Sequence, residues 1–431
     1  MFETWKNVFK QEDLKKRIVY TIIILVLYRL GSALTVPFLN PTALRDMVSN
    51  GADFLSYLNI MTGGALENAT IFSMSITPYI NASIIIQLLT IAIEPLERLA
   101  KEGGESRKKL QAITRYTTLG LALVQAVGFY FMLRNTAGVL EYRSGFEGIF
   151  SAIVIIASFV AGTCVVVWLG DQITEKGIGN GISIILFAGI LSRGPAAFRM
   201  LVAWWQMGSS ESKYYFLVPA IVAIFAAMIA FIVFMTNAER RVPVSYAKRV
   251  VGRKMYGGQN THIPIKVNMT GVMPIIFAMS FMQLPNMIGT YIQVKEGGFW
   301  EGFFNLFKYD NPFYGILYFL LIIGFNYFYT AVQYNPLEIA NGLRKNNGAI
   351  PGIRPGKPTV DFLTKVISKI TLLGALFLGL IAVFPIIFSA LTRANVSLGG
   401  TSILIIVGVA LETMRTLESQ LTMRHHKGFL E

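Results

Sequence analysis

The stretch MSITPYINASIIIQLLTIAI, residues 74–93, decides the fold class. It carries no charged side chain and is as long as the about 20 residues an α-helix needs to cross a bilayer core. Pro78 falls near its start, where a helix leaves an N–H unpartnered in any case. Working outward, nine further stretches read the same way: 18–36, 112–133, 147–169, 181–200, 216–236, 270–289, 313–334, 366–389 and 401–418. Composition agrees, with 54% hydrophobic and 14% charged residues, against about 25% charged in a soluble domain. A large soluble enzyme is excluded, and 31 Phe with 18 Tyr exclude a disordered chain. The expected fold is an all-α membrane protein with ten transmembrane helices.

The net charge of +14 then orients the chain. Most of the basic residues fall in 1–17, 94–115, 170–180, 237–269, 335–369 and the tail from 412, while the opposite side is close to neutral. By the positive-inside rule both termini are cytoplasmic. Residues 1–17 set Phe2, Trp5 and Phe9 against Lys6 and Lys10, an interfacial helix. The following stretch carries Arg29 and no small-residue cleavage site, so it reads as a retained first span. Ten spans divide into an N-terminal half, 18–200, an external hinge, 201–215, a C-terminal half, 216–418, and a tail, 419–431. An odd number of spans per half makes the halves inverted, and such repeats place a transport path at their interface. Pro78 and Gln87 share their spacing with Pro274 and Gln283, and Ala82 and Leu88 match Ala278 and Leu284.

No catalytic constellation stands out. The single cysteine, Cys164, lies in an apolar run and reads as a packed thiol. His425 and His426 read as a solvated pair. In Gly352-Ile-Arg-Pro-Gly-Lys357 the glycines are too close for a phosphate loop, and Pro358 stands where Ser or Thr is needed. No cofactor or metal is expected, and no enzyme. Arg29 lies inside the first span and is best read as a snorkelled or helix-packing cation. The lack of intramembrane acids argues against an ion-coupled secondary transporter with inverted repeats, the main alternative.

Two cytoplasmic loops are unusual. Residues 237–269 hold Arg240, Arg241, Lys248, Arg249, Arg253, Lys254 and Lys266 against Glu239 alone. Residues 335–365 hold Arg344, Lys345, Arg354, Lys357 and Lys365 among prolines and glycines. Ordinary attraction to anionic lipid explains part of this. Loops this long suit docking of RNA phosphate or an acidic protein face better. On the outer side, residues 60–70 are apolar and Gly-containing but too short to span. They form either a re-entrant segment filling a cavity or a surface loop.

At these residues the chain resembles the SecY family, the large subunits of bacterial protein-conducting channels. The likeness runs over essentially the whole length. It is carried by Gly63-Gly-Ala-Leu66, Ile76–Leu88, Trp168–Ser183, Arg240–Arg249, Thr261–Met269 and Ile350–Gly356. The resemblance implies a plug at 60–70, built from Ile60, Met61, Thr62, Gly63, Gly64, Ala65, Leu66, Glu67 and Asn68. It implies a pore ring of Ile76, Ile80, Ile182, Leu186, Ile276 and Ile405, an apolar constriction that would dewet yet yield to a threaded chain. It implies a lateral gate between the second and seventh spans, tied by Asn81, Gln87, Gln125 and Gln283. The two basic loops would receive the ribosome and the SecA motor. SecE, SecG, signal-peptide-bearing precursors and anionic lipids are the other implied partners, in a bacterial plasma membrane. Glu67-Asn68 departs from the small or basic residues common at these plug positions.

Overall fold

The computed structural model describes residues 11–50, 59, 62–102, 104–136, 138–208, 213–246, 249–251, 254–256, 260–291, 298–307, 311–392 and 400–425. The chain is mostly helical. Before the first strand come α1 (Glu12–Gly31), α2 (Pro41–Asn50), α3 (Thr77–Ala92), α4 (Glu94–Glu102), α5 (Gly104–Asn135), α6 (Gly145–Lys176), α7 (Gly181–Leu191), α8 (Gly194–Met207) and α9 (Lys213–Asn237). Then follow β1 (Glu239–Tyr246), β2 (Arg249–Val251), β3 (Lys254–Tyr256) and β4 (Asn260–Lys266). The remainder is α10 (Met273–Tyr291), α11 (Phe299–Leu306), α12 (Pro312–Gln333), α13 (Pro336–Lys345), β5 (Gly348–Ala349), α14 (Lys357–Thr392) and α15 (Gly400–His425).

Each apolar stretch read from the sequence overlaps helix, as backbone N–H and C=O groups in lipid require, although 18–36 runs past α1, which ends at Gly31. Among the described residues, six helical runs are long and apolar enough to cross a membrane, and a seventh if α3 and α4 count as one span. That pair is bent by 109°. Ile93 is extended at the break, and Pro95, which lacks an N–H, opens α4. The stretch 181–200 divides into α7 and α8 at Ser192–Arg193.

The chain forms two compact units. The first comprises Met1–Pro219, Gln283–Lys308 and Ile405–Glu431. One of its cores joins Val36, Leu39, Leu44, Tyr130, Leu133, Ile155 and Phe159. A second joins Leu14 and Ile18 of α1 to Ile178 and to Leu417 and Leu421 of α15. Gly162 lets the backbone of Ile71 lie directly on α6, where any Cβ would collide with the Ile71 carbonyl oxygen. Cys164 is exposed on α6, contrary to the packed thiol expected. Helical phase explains it: neighbouring Gly162 and Thr163 take the buried face.

The second unit comprises Ala220–Met282 and Tyr309–Leu404, with α12 packed along α14. Thr270 donates to the Asn326 side-chain oxygen at 2.6 Å, and the Asn326 amide donates to the Thr371 carbonyl at 3.0 Å. This buried bridge ties the chain after β4 to both helices. The region expected as a loop within an all-α fold is instead a β-element. β1 and β4 are antiparallel from Glu239↔Lys266 to Ser245↔Asn260, and β5 joins at Ser245↔Ala349 and Tyr246↔Gly348. The signal was the alternation of Val242 and Val244 with polar neighbours, whose apolar side is buried. Pro243 is tolerated because β5 does not extend to its side of the strand.

Candidate functional site

The segment before α3 is seated rather than loose. Ile60 and Met61 lie outside the described residues. Thr62 is fully buried, as are Ala65 and Leu66. Gly63 adopts φ +67°, the left-handed region that favours glycine. A Cβ there would come within 2.7 Å of the Gly189 carbonyl oxygen and 2.8 Å of the Ser192 hydroxyl. That closeness lets the Gly63 carbonyl accept from both Ser192 Oγ and Arg29 Nη1, each at 3.3 Å. Arg29, read as a packing cation, therefore bonds the backbone of the segment expected as a plug.

Glu67 and Asn68 carry further polar contacts to neighbouring side chains. The Glu67 carboxylate accepts from Asn59 Nδ2 at 2.6 Å and pairs with Arg193 at 3.3 Å. Its backbone N–H donates to Asn59 Oδ1 at 3.1 Å. The Asn68 amide donates to the Gly64 carbonyl at 2.8 Å, and its oxygen accepts from Arg45 at 2.9 Å. Arg45 and Arg193 were not singled out from the sequence. The one signal was a lone acid in an apolar segment, which calls for a cationic partner without saying where in the chain it lies.

The expected ring residues take these positions. Ile76 is fully buried immediately before α3, and Ile80 is half-buried one turn on. Ile182 and Leu186 share a face of α7, and Gly170 makes room for Ile182, whose Cδ1 a Cβ there would approach to 2.5 Å. Ile276 on α10 and Ile405 on α15 are buried. Of the residues expected at a gate, Asn81 and Gln125 are half-buried on α3 and α5, which pack together. Gln87 buries its side-chain oxygen without a hydrogen bond among the described residues. The Gln283 side chain lies outside what is described.

The two basic loops form one body. β1 belongs to the first loop and β5 to the second, and they share a sheet. Beneath it, Val242, Val244 and Ile265 pack with Ala340, Leu343, Ile350, Leu363 and Ile367. On this platform Arg240, Arg241, Arg344, Lys345, Arg354 and Lys357 are exposed. The Arg241 guanidinium donates to Glu239 at 2.8 Å and holds that carboxyl below the usual range. The Arg354 carbonyl accepts from Thr359 Oγ1 at 2.9 Å, which fixes the turn before α14. Arg249 and Lys254 lie on β2 and β3, and Lys248 and Arg253 fall outside the described residues. At the cytoplasmic end expected for α5 and α6, Arg115 pairs with Asp171 at 2.7 Å.

Known proteins match this architecture. The SecY family model covers residues 70–414. The protein translocase subunit SecY of Streptomyces galbus is 40% identical over 444 residues, covering 100% of both chains. Among solved structures, one concerns a SecY protein whose plug domain stabilises the closed state of the translocation channel and maintains a membrane seal. It superposes with TM-score 0.65 at 18% identity over 94% of this chain and 92% of that one. Sec61 in a canine ribosome–channel complex from the endoplasmic reticulum follows, with TM-score 0.61, 18% identity and the same coverage. By sequence along its whole length and by fold, this multi-pass membrane chain belongs to the SecY family of protein translocase subunits.

Proposed function

We propose that the chain is the pore subunit of a protein-conducting channel and not itself an enzyme. It passes unfolded secretory proteins across a bacterial plasma membrane and releases membrane segments sideways into lipid. The observation that carries this reading is the seated segment Thr62–Asn68, buried and irregular, and held by side chains of neighbouring elements. Irregular backbone at membrane depth persists when it is buried in protein, and a segment held by a few polar contacts is displaceable. A plug of this kind closes a pore at rest and leaves it during transport.

On this reading the ten apolar stretches are ten spans in two inverted halves, 18–200 and 216–418, with both termini cytoplasmic. Ile76, Ile80, Ile182, Leu186, Ile276 and Ile405 form the constriction. Asn81, Gln87, Gln125 and Gln283 hold the lateral gate with bonds worth about 0.6–2 kcal/mol each, weak enough for an apolar segment to displace. The exposed arginines and lysines of the β-platform receive the ribosome or SecA, which supply the driving force. SecE and SecG complete the channel, precursors with signal peptides are its cargo, and anionic lipids surround it. A secondary transporter is not favoured, since the family is one of protein translocases.

The test is reconstitution with SecE, SecG, SecA and ATP, reading import of an unfolded secretory precursor into vesicles. Import above a SecA-free control is expected. Its absence where a control channel works overturns the reading.

A further inference from the structure

Helix α11 (Phe299–Leu306) is short, and none of its residues is buried. Its sequence FWEGFFNL followed by Phe307 divides cleanly around the helix axis. At 3.6 residues per turn, Phe299, Trp300, Phe303, Phe304, Leu306 and Phe307 fall within an arc of about 160°, while Glu301, Gly302 and Asn305 fill the rest. Most of the apolar arc turns outward: Phe299 is 81% exposed, Trp300 59%, Leu306 38% and Phe303 36%, while Phe304 is half-buried and Phe307, just past the helix end, is buried. The rings also order one another. Trp300 stacks on Phe304 at 6.1 Å between centroids, and Phe303 contacts Trp300, Phe304 and Phe307.

An aromatic face this large and this exposed does not stay in water. The chain connectivity says what meets it. Residues 307–311 join α11 to α12, a helix apolar enough to cross the membrane, and this link reaches at most about 20 Å when fully extended. α11 is thus leashed to the bilayer surface. Trp with Phe on one face and Glu with Asn on the other is the pattern of a helix lying in the plane of the headgroup boundary.

We infer that α11 is a membrane-surface anchor whose Phe299, Trp300, Phe303 and Leu306 insert into the headgroup–acyl boundary of the lipid leaflet next to α12. The anchor fixes the depth of the connection between α10 and α12. It stands independently of the channel reading and needs only that the chain spans a membrane.

Depth-resolved fluorescence quenching tests it. The full chain is reconstituted into phosphatidylcholine–phosphatidylglycerol vesicles made with plain lipid, with lipid brominated just below the headgroups, or with lipid brominated near the chain ends. The Trp300 contribution is the difference between the unaltered chain and Trp300→Phe, which keeps an apolar ring. The expected result is blue-shifted emission that loses roughly half its intensity to the shallow bromines, little to the deep ones, and little to aqueous iodide. Quenching by iodide without quenching by lipid would place the face in water and overturn the proposal. Protection from all three quenchers would mean that protein, a partner chain or a second copy, covers the face, and would overturn it equally. A spin label at Phe299→Cys in a Cys164→Ser background gives a second readout. Its relaxation should respond more to lipid-phase oxygen than to an aqueous nickel chelate, and the reverse order counts against insertion.

Discussion

The Glu67 carboxylate lies 3.3 Å from the Arg193 guanidinium, joining the segment before α3 to the turn between α7 and α8. Both side chains are mostly but not wholly buried, at 28% and 21% exposure. An ion pair in that setting holds without locking, because residual solvent weakens it and the loss of one partner leaves the other charge poorly solvated. The lone acid at Glu67 therefore has its structural counterpart in Arg193.

Glu67→Gln should loosen the plug. Removing the charge while keeping the shape weakens the pair by about 1 kcal/mol, roughly a fivefold shift toward the open plug. Resting single-channel conductance in planar bilayers reads this directly. A seal as tight as in the unaltered channel would show that the pair contributes nothing to closure. The exchange Glu67→Arg with Arg193→Glu should restore part of it.

Gly162→Ala should be among the most damaging small substitutions. The added methyl meets the Ile71 carbonyl, which is backbone and cannot rotate away. Overpacking of this kind costs about 1–3 kcal/mol, expected as a lower unfolding midpoint in detergent. Gly120→Ala in α5 is the control, since a Cβ there meets nothing within 4 Å. Equal midpoints for the two variants would refute the argument.

Ile80→Asn and Ile276→Asn should each make the closed channel conduct ions. A dewetted constriction blocks ions because its walls offer no hydrogen bonds, and one amide supplies them. Measured conductance indistinguishable from the unaltered chain would remove these residues from the ring.

Arg354→Glu should abolish most SecA-driven transport while leaving the subunit assembled, because Arg354 is exposed and its side chain supports no core. Thr359→Val should act more mildly through the same turn, since it removes only the hydroxyl that bonds the Arg354 carbonyl. Normal transport by the glutamate variant would release Arg354 from the docking role.

Asn326→Leu should destabilise the second unit without touching any exposed group. It leaves the buried Thr270 hydroxyl without its partner and removes the Asn326 bond to the Thr371 carbonyl, at a cost of about 1–2 kcal/mol. Thermal unfolding is the measurement, and an unchanged midpoint would show the bridge to be dispensable.

Hydropathy made the helices legible, because lipid leaves the backbone few alternatives. The split at Ser192–Arg193 is marked by Ser-Arg-Gly-Pro at 192–195, a signal that average hydropathy over 181–200 smooths away. Basic residues in 237–269 drew attention to charge and away from the Val242–Val244 alternation that announces a strand. The pairing of β1 with β5 joins residues about a hundred positions apart, beyond what local pattern can reveal. The same holds for Glu67 with Arg193. Ile182 and Leu186 look like any packed aliphatic pair, and only the family resemblance marked them out.

The sheet that joins the two basic loops also has a mechanical side. β4 ends at Lys266 and α10 begins at Met273, with the link between them pinned by the Val267 amide on the Ala238 carbonyl at 2.9 Å and by Thr270 on Asn326. Such a link has little slack. A load applied at Arg354 or Arg240 would therefore pass through one sheet to the first residues of α10.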